Sequence, residues 1–192
     1  MLRRFYNWII SYSTHPYATW ILGIVSFIES SFFPIPPDPL YVAMLMENRD
    51  RIWRLAFLCT ATSVVGGILG YYIGYVFFDT IGESIIHTYH LEQSFENMKA
   101  GFHKWGFWLI ALKGLTPVPY KIVTITSGVM HLNLWTFILA SVIARGFRFY
   151  LLAALFRFYG PEIKNFIEKN LGLVSGLALG ALVVGYWIIT KL

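Results

Sequence analysis

Six charged side chains lie in otherwise apolar segments, and their types suit the binding of an anion or a proton. They are two acids, two lysines and two arginines, namely Glu29, Asp38, Lys113, Lys121, Arg145 and Arg148. An ionisable group in hydrocarbon costs about 2.5–3.5 kcal/mol by the lowest estimates, so it needs a partner or a wet cavity. Cations there would bind a phosphate, and a buried carboxylate would exchange a proton. We expect the six residues to form one substrate-binding and proton-coupling site.

Two proline-rich stretches carry four of these charges. "ESSFFPIPPD" (29–38) is acidic, and "KGLTPVPYK" (113–121) is basic. Prolines disrupt a helix interior, and irregular backbone at membrane depth survives only beside protein or water. We therefore predict two re-entrant helical hairpins in which the prolines shape the tips and bind nothing. These tip prolines are Pro34, Pro36, Pro37, Pro117 and Pro119.

The composition places these stretches in a membrane. Hydrophobic residues make up 57% of the 192 residues and charged residues 13%, whereas a soluble domain carries about 25% charge. Residues 55–78 and 171–190 contain no charge, and a bilayer needs roughly 20 helical residues. After a polar turn near His131 and Asn133, a third span over residues 134–156 would carry Arg145 and Arg148.

The predicted fold is an all-α integral membrane protein of one domain, residues 1–192. Each of two repeats contains a re-entrant hairpin and a transmembrane helix, and the hairpins enter from opposite faces, which defines an inverted repeat. The first repeat covers 16–78 (hairpin 16–46, span 55–78), an amphipathic connector covers 79–104, the second repeat covers 105–156 (hairpin 105–130, span 134–156), and an additional C-terminal transmembrane helix covers 171–190. Residues 16–33 are also long enough to cross the membrane, since 18 helical residues reach about 27 Å.

Glycine spacing and loop charge complete this arrangement. Gly66, Gly70 and Gly74 share one face of the first span, and small residues let helix backbones approach closely in lipid. We expect this face to pack against a hairpin. Cations cluster before and after the first hairpin, at Arg3, Arg4, Arg49, Arg51 and Arg54. By the positive-inside rule both clusters, and the N-terminus, are predicted to be cytoplasmic.

The paired tips also carry a family resemblance. Together with "RGFRF" (145–149), the stretches "ESSFFPIPPD" and "GLTPVPYKIVTITSGVM" (114–130) resemble the DedA family, also called the VTT or SNARE-associated Golgi protein domain, over residues 27–156. The resemblance implies transport of phospholipids or polyprenyl-phosphate carriers between leaflets of a bacterial inner membrane. The family's acidic positions correspond to Glu29 and Asp38. Its basic positions, commonly arginine, correspond to Lys113 and Lys121.

The sequence leaves other functions open. A proton-coupled transporter of small solutes or ions would share the fold, and a membrane scaffold protein is a second alternative. We expect no enzyme, because the histidines lie far from the arginines and the aspartates are scattered. No cofactor or metal is expected, since His87, His90 and Glu83 lack a fourth ligand. The expected partners are anionic lipid headgroups and not nucleic acid, and a homo-oligomer is compatible with the pattern.

Overall fold

The computed structural model of the chain describes residues 15, 17–31, 37–47, 49–82, 92–113 and 120–169. Over these ranges the chain forms helices and turns without strands, which confirms the all-α prediction. The helices are α1 (Ala18–Ser31), α2 (Asp38–Glu47), α3 (Ile52–Phe77), α4 (Glu92–Lys113), α5 (Tyr120–Val129) and α6 (Leu134–Lys169). A 3-10 turn, Arg49–Arg51, precedes α3, and a π-helical turn, Phe78–Gly82, follows it.

Two helical segments are long and apolar enough to cross a membrane. Arg49–Thr80 contains 32 residues and Leu134–Glu162 contains 29, in agreement with the spans predicted at 55–78 and 134–156. Large apolar side chains such as Trp20 and Trp135 face outward, which suits a hydrocarbon surrounding. The predicted span 171–190 lies outside the described residues.

Helix α6 is longer than the predicted span and bends near its end. Tyr159 has non-helical dihedral angles, φ −117° and ψ 19°, two residues before Pro161. Proline has no N–H to continue the helical hydrogen bonds, so a bend at this point is expected. Helix α4 in turn continues across residues 104 and 105. The C-terminal part of the predicted connector and the first arm of the second predicted hairpin are therefore one helix.

Helix α1 runs parallel to α3, which lies at the centre of the described helices. The hydroxyl of Ser26 donates to the carbonyl of Cys59 at 3.0 Å. Further along both helices, the hydroxyl of Ser31 donates to the carbonyl of Gly66 at 2.9 Å. Because the residue numbers of α1 and α3 increase together from the first contact to the second, the two helices run in the same direction.

Helix α6 runs antiparallel to α3. Trp53, near the start of α3, stacks on Tyr150 with ring centroids 6.0 Å apart. Tyr71, near the end of α3, lies 5.4 Å from the ring of Phe137, near the start of α6. One end of α3 therefore lies beside the bend of α6, and the other end lies beside the turn between α5 and α6.

Helix α2 returns toward the beginning of α3 and runs along α6. The hydroxyl of Tyr41 donates to the carbonyl of Phe149 at 2.8 Å. Beyond α2, Arg49 Nη2 donates to the carbonyl of Phe156 at 3.5 Å. Helices α1 and α2 therefore both lie along the first half of α3, and they point in opposite directions.

Helices α4 and α5 lie toward the other end of α3. Helix α4 begins there, where Phe95 stacks on Phe78 at 4.7 Å. It leads inward to Ile110, which is buried in the cluster that includes Tyr71. Helix α5 then runs parallel to α3, since Tyr120 lies against Gly67 and Ile125 lies against Gly74.

The glycine face of α3 permits these close contacts. A Cβ atom on Gly66 would overlap the carbonyl oxygen of Phe27 in α1, and one on Gly74 would overlap that of Ile125 in α5. Gly70 lies between them, against the hydroxyl of Thr124. The face that we expected to pack against one hairpin therefore contacts helices from both halves of the chain.

The turn between α5 and α6 lies where the polar residues predicted it. His131 adopts a left-handed conformation, with φ 52°. The amide of Leu132 donates to Ser127 and that of His131 to Gly128, which is the Schellman ending of a helix. Asn133 Oδ1 then accepts from the amides of Trp135 and Thr136 at 3.0 and 3.2 Å, so it caps α6.

We predict that alanine at the close helix contacts destabilises the protein. In Gly74→Ala the new methyl group meets the carbonyl of Ile125, and in Gly128→Ala it meets the carbonyl of Tyr71. Backbone cannot move aside cheaply, so each change should cost about 1–3 kcal/mol, measured by thermal unfolding in detergent. Gly101→Ala is the matched control, because nothing lies within 4 Å of its Cβ position. It should be neutral or stabilise by up to about 1 kcal/mol, and a similar loss in all three variants would contradict the packing.

Candidate functional site

Arg145 lies at the junction of four helices. Its side chain is 4% exposed, and its Nη2 donates to Glu29 Oε2 of α1 at 2.8 Å. Its Nε donates to the hydroxyl of Ser63 in α3. The carboxylate of Glu29 is 17% exposed, so the ion pair is largely removed from solvent.

Two aromatic rings enclose the same guanidinium. Its Cζ lies 4.7 Å from the ring centroid of Tyr120, at the start of α5, and 5.0 Å from that of Phe149 in α6. A cation over an aromatic face gains about 2 kcal/mol or more when both are desolvated. One side chain of α6 thus contacts α1, α3 and α5.

Buried hydroxyls connect the acid and the arginine to the backbone. The Oγ atoms of Ser30 and Ser63 are 2.6 Å apart, and Ser30 Oγ also donates to the carbonyl of Ser26 at 2.9 Å. Ser26 in turn donates to Cys59. A buried hydroxyl without a partner is costly, and these three serines are all satisfied. Ser30 and Ser63 lie where α1 contacts α3, and both accept hydrogen bonds from Arg145. They therefore help to hold the guanidinium beside Glu29.

A second ion pair joins α2 to α6. Arg148 Nη2 donates to Asp38 Oδ2 at 2.7 Å, with side chains 37% and 35% exposed. Asp38 occupies the first turn of α2, where the helix dipole favours a negative charge. Arg145 and Arg148 are three residues apart and share one face of α6. The two pairs are therefore neighbours, one buried and one accessible.

Among the described residues the two acids are paired with arginines and not with the lysines of the basic stretch. Both acids have arginine partners from α6, which reaches them because it runs antiparallel to α3 and brings Arg145 level with Ser63. Lys121 is half-buried in the first turn of α5, and the ion pairs found between described residues do not include it. Lys113 ends α4, and its side chain lies outside the described part of the structure.

Most of the predicted tip prolines also lie outside the described residues, namely Pro34, Pro36, Pro117 and Pro119. Pro37 is described, and its carbonyl accepts the amide of Tyr41 at 2.9 Å in the first turn of α2. His87, His90 and Glu83 are likewise outside. In the described part of the chain no group of three metal-binding side chains occurs.

Several site residues escaped the sequence analysis. Ser30 and Tyr120 are sequence neighbours of Glu29 and Lys121, so proximity to the charges was an available signal. Ser63 had no comparable signal, because a single serine in a charge-free span usually packs against another helix. Its role depends on the opposite directions of α3 and α6.

Comparisons with known proteins identify the family of the chain. The chain matches the family model of the VTT domain over residues 35–158. It is 31% identical over 184 residues to an "Uncharacterized protein" of Haemophilus influenzae, covering 96% of this chain and 95% of that one. It is 33% identical over 184 residues to an "Uncharacterized protein HI0703 homolog" of Histophilus somni, covering 96% of each. No solved structure matches significantly.

The chain therefore belongs to the VTT domain (DedA) family of membrane proteins, which confirms the resemblance seen in the sequence. The match includes Asp38, Lys121, Arg145 and Arg148, whereas Glu29 precedes it. Membership agrees with the two membrane-length helices.

We predict that the two ion pairs contribute unequally to stability. Glu29→Gln leaves a buried guanidinium without its counter-charge, which should cost about 3–5 kcal/mol. Asp38→Asn affects a pair that solvent reaches, and should cost about 0–1 kcal/mol. Thermal unfolding of the purified variants in detergent measures the difference.

A double variant separates the pair from other effects of the substitution. Glu29→Gln with Arg145→Gln removes both charges, so it should lose less stability than the sum of the two single variants. Equal destabilisation by Glu29→Gln and Asp38→Asn, or strict additivity in the double variant, would show that the buried pair does not stabilise the fold.

Proposed function

We propose that this protein is a membrane lipid transporter that moves a phospholipid or a polyprenyl-phosphate carrier between leaflets. One observation supports this most strongly: Arg145, almost fully buried on the membrane-length helix α6, is paired with Glu29 of the shorter apolar helix α1. Ionisable groups inside a membrane are costly and usually mark a pathway for a substrate or an ion. A purely structural protein could use apolar side chains at this junction with less cost.

We further propose that the two halves form an inverted repeat of re-entrant hairpins. Helix packing supports this, since exchanging the halves converts two contacts of α3 into observed contacts of α6. The α1–α3 contact corresponds to α4–α6, and α5 on α3 corresponds to α2 on α6. The start of α2 and the start of α5 both lie near Arg145, so each broken segment would place a helix N-terminus toward the bilayer midplane.

An anionic headgroup suits the groups around this centre. The side chain of Arg148 is 37% exposed. Lys121 adds a half-buried ammonium. Guanidinium groups bind phosphate through paired hydrogen bonds, and helix N-termini favour anions. A phosphate entering beside Arg148 would therefore meet several donors before it reached Arg145.

We also propose that Glu29 couples transport to protons. Its carboxylate occupies one side of the Arg145 guanidinium, so a phosphate that took this position would leave Glu29 without its counter-charge. A carboxylate in that situation takes up a proton. We further propose that the protein lies in a bacterial inner membrane. The beginning of α3 and the 3-10 turn before it, which carry Arg54, Arg49 and Arg51, would lie in the cytoplasm.

A small-solute or ion transporter remains the second candidate, and one observation favours it. An apolar groove of about 410 Å³ runs along the outer seam of α1 and α3 between Trp20 and Val65. Glu29 lies roughly 150° around α1 from the groove. A lipid whose tail occupied the groove would therefore not have its headgroup directly at Glu29. A small solute could bind at Glu29 without occupying the groove.

Reconstitution in liposomes tests the proposal. Wild-type protein should accelerate leaflet exchange of fluorescent phospholipid or polyprenyl phosphate, followed by dithionite quenching. Glu29→Gln removes the negative charge, and Arg145→Lys removes the planar guanidinium group. Each variant should slow lipid exchange by about tenfold or more, which corresponds to about 1.4 kcal/mol. Lys121→Gln should act in the same direction, through weaker headgroup binding.

Lys99→Gln is the matched control, because Lys99 is on α4 and pairs at 3.9 Å with Glu96, outside the charged centre. It should exchange lipid like the wild type at equal folded amount. Proton uptake into the lumen, measured with pyranine, should accompany exchange in the wild type and disappear in Glu29→Gln. Exchange no faster than in empty liposomes with every lipid would reject lipid transport in favour of the solute alternative.

A further inference from the structure

The apolar groove along the seam of α1 and α3 is open on the outer surface of the described helices. Three residues that line it, Trp20, Ile24 and Val65, are 74%, 55% and 55% exposed. Small residues form its middle: a Cβ atom on Gly23 would lie 3.4 Å from Thr62 Cγ2. Because small residues let helices approach closely in lipid, a third helix could pack into this seam.

The position of α1 favours a protein segment over a lipid tail as the occupant of the groove. Helix α1 has 14 residues and is about 21 Å long, which is shorter than the hydrocarbon layer. Its last residue, Ser31, is bonded to Gly66, near the middle of the membrane-length helix α3. A helix end at membrane depth has to be covered by protein or water. The groove extends to Phe27, one turn before this end, so a helix in the groove would help to cover it.

The chain itself contains a segment of suitable length and composition. Residues 171–190, which lie outside the described residues, are 20 residues without a charge, enough to cross a bilayer as a helix. Gly172, Gly176 and Gly180 recur every four residues, so they would share one face of that helix. This face would present small residues to the small residues in the middle of the groove.

The end of α6 lies where such a segment can reach the groove. Arg49, just before α3, lies against Gly160 of α6, so this part of α6 is at the beginning of α3. From Gly160 to Lys169 the helix covers about 14 Å, more than the 8–10 Å between the axes of packed helices. The segment would then cross the membrane in the same direction as α3, along the groove.

We propose that residues 171–190 form a transmembrane helix that packs into the α1–α3 groove, with Gly172, Gly176 and Gly180 toward the seam. A second copy of the chain is a less favourable occupant, because a segment attached through a short connection has a high effective concentration at the groove. The proposal does not depend on which substrate the protein transports.

Disulfide formation in membranes tests this packing. In a Cys59→Ala background, which removes the only cysteine, Ile24→Cys is combined with one cysteine at a time over positions 172–183 of the full-length chain. Oxidation joins cysteines whose Cα atoms lie within about 7 Å. We expect disulfides within one chain at positions three or four residues apart, seen as a monomer band whose thiols resist labelling with maleimide-polyethylene glycol.

Phe147→Cys is the matched control for Ile24→Cys. Phe147 is 53% exposed on α6, and its neighbour Gly146 is level with Thr60 of α3, so its depth is similar but its position is outside the groove. The same scan with Phe147→Cys should give several-fold fewer disulfides within the chain. Equal yields with both partners, or none with Ile24→Cys, would overturn the proposal, and the second result would leave the groove to lipid tails. A disulfide-linked dimer as the main product would overturn it in favour of a second copy.

Filling the groove provides a second arm. Ala61→Leu places a larger side chain in the groove, and should lower the disulfide yield of the best pair with Ile24→Cys several-fold. Ala154→Leu, at a half-buried position of α6, is the control and should leave the yield unchanged. Size-exclusion chromatography confirms that each variant is folded. An unchanged yield in folded Ala61→Leu would show that the segment lies outside the groove.

Discussion

A buried guanidinium must be compensated, and much of the described packing around the centre of this protein follows from that need. Arg145 receives a carboxylate from α1, a hydroxyl from α3 and an aromatic ring from α5. Each contact offsets part of the cost of removing the charge from water. Because the partners come from different helices, their positions are coupled, and a shift of α1 or α5 changes the environment of the charge.

Close backbone contact makes this compensation geometrically possible. Glycines on α3 bring the carbonyls of Phe27 and Ile125 against its surface, so that short side chains such as Ser30 and Ser63 reach one another. In lipid, helices associate through packing and hydrogen bonding, since the tails are as apolar as the helices themselves. The small residues and the charged centre therefore depend on each other: without the close approach the serine hydroxyls would be separated from their partners.

The two ion pairs divide the site by accessibility. Glu29–Arg145 is enclosed by rings and hydroxyls, and Asp38–Arg148 is about one-third exposed. Both arginines share a face of α6, so an anion reaching the outer pair would be one turn from the inner one. This gradient from an accessible to an enclosed cation suits a protein that captures a charged group and moves it through an apolar layer, as we propose.

Several elements were predictable because they depend on local composition. The spans at 55–78 and 134–156 follow from stretches of chain whose apolar content decides their transfer into lipid. The turn at His131 and Asn133 follows from polar residues that cap helices. The proline-rich stretches indicated breaks, and this stays a prediction because most of the tip prolines lie outside the described residues.

The partners of the charges were decided by the tertiary structure. The sequence by itself determined which charged residues lie in apolar segments and that they need compensation, because both facts depend on residue type and on nearest neighbours. It did not determine that the acids pair with arginines instead of lysines, or that Ser63 and Tyr120 complete the centre. The two ion pairs and the bond between Ser63 and Arg145 join residues more than 80 positions apart. They exist because α6 runs antiparallel to α3 at one particular register, which depends on the packing of all the helices together.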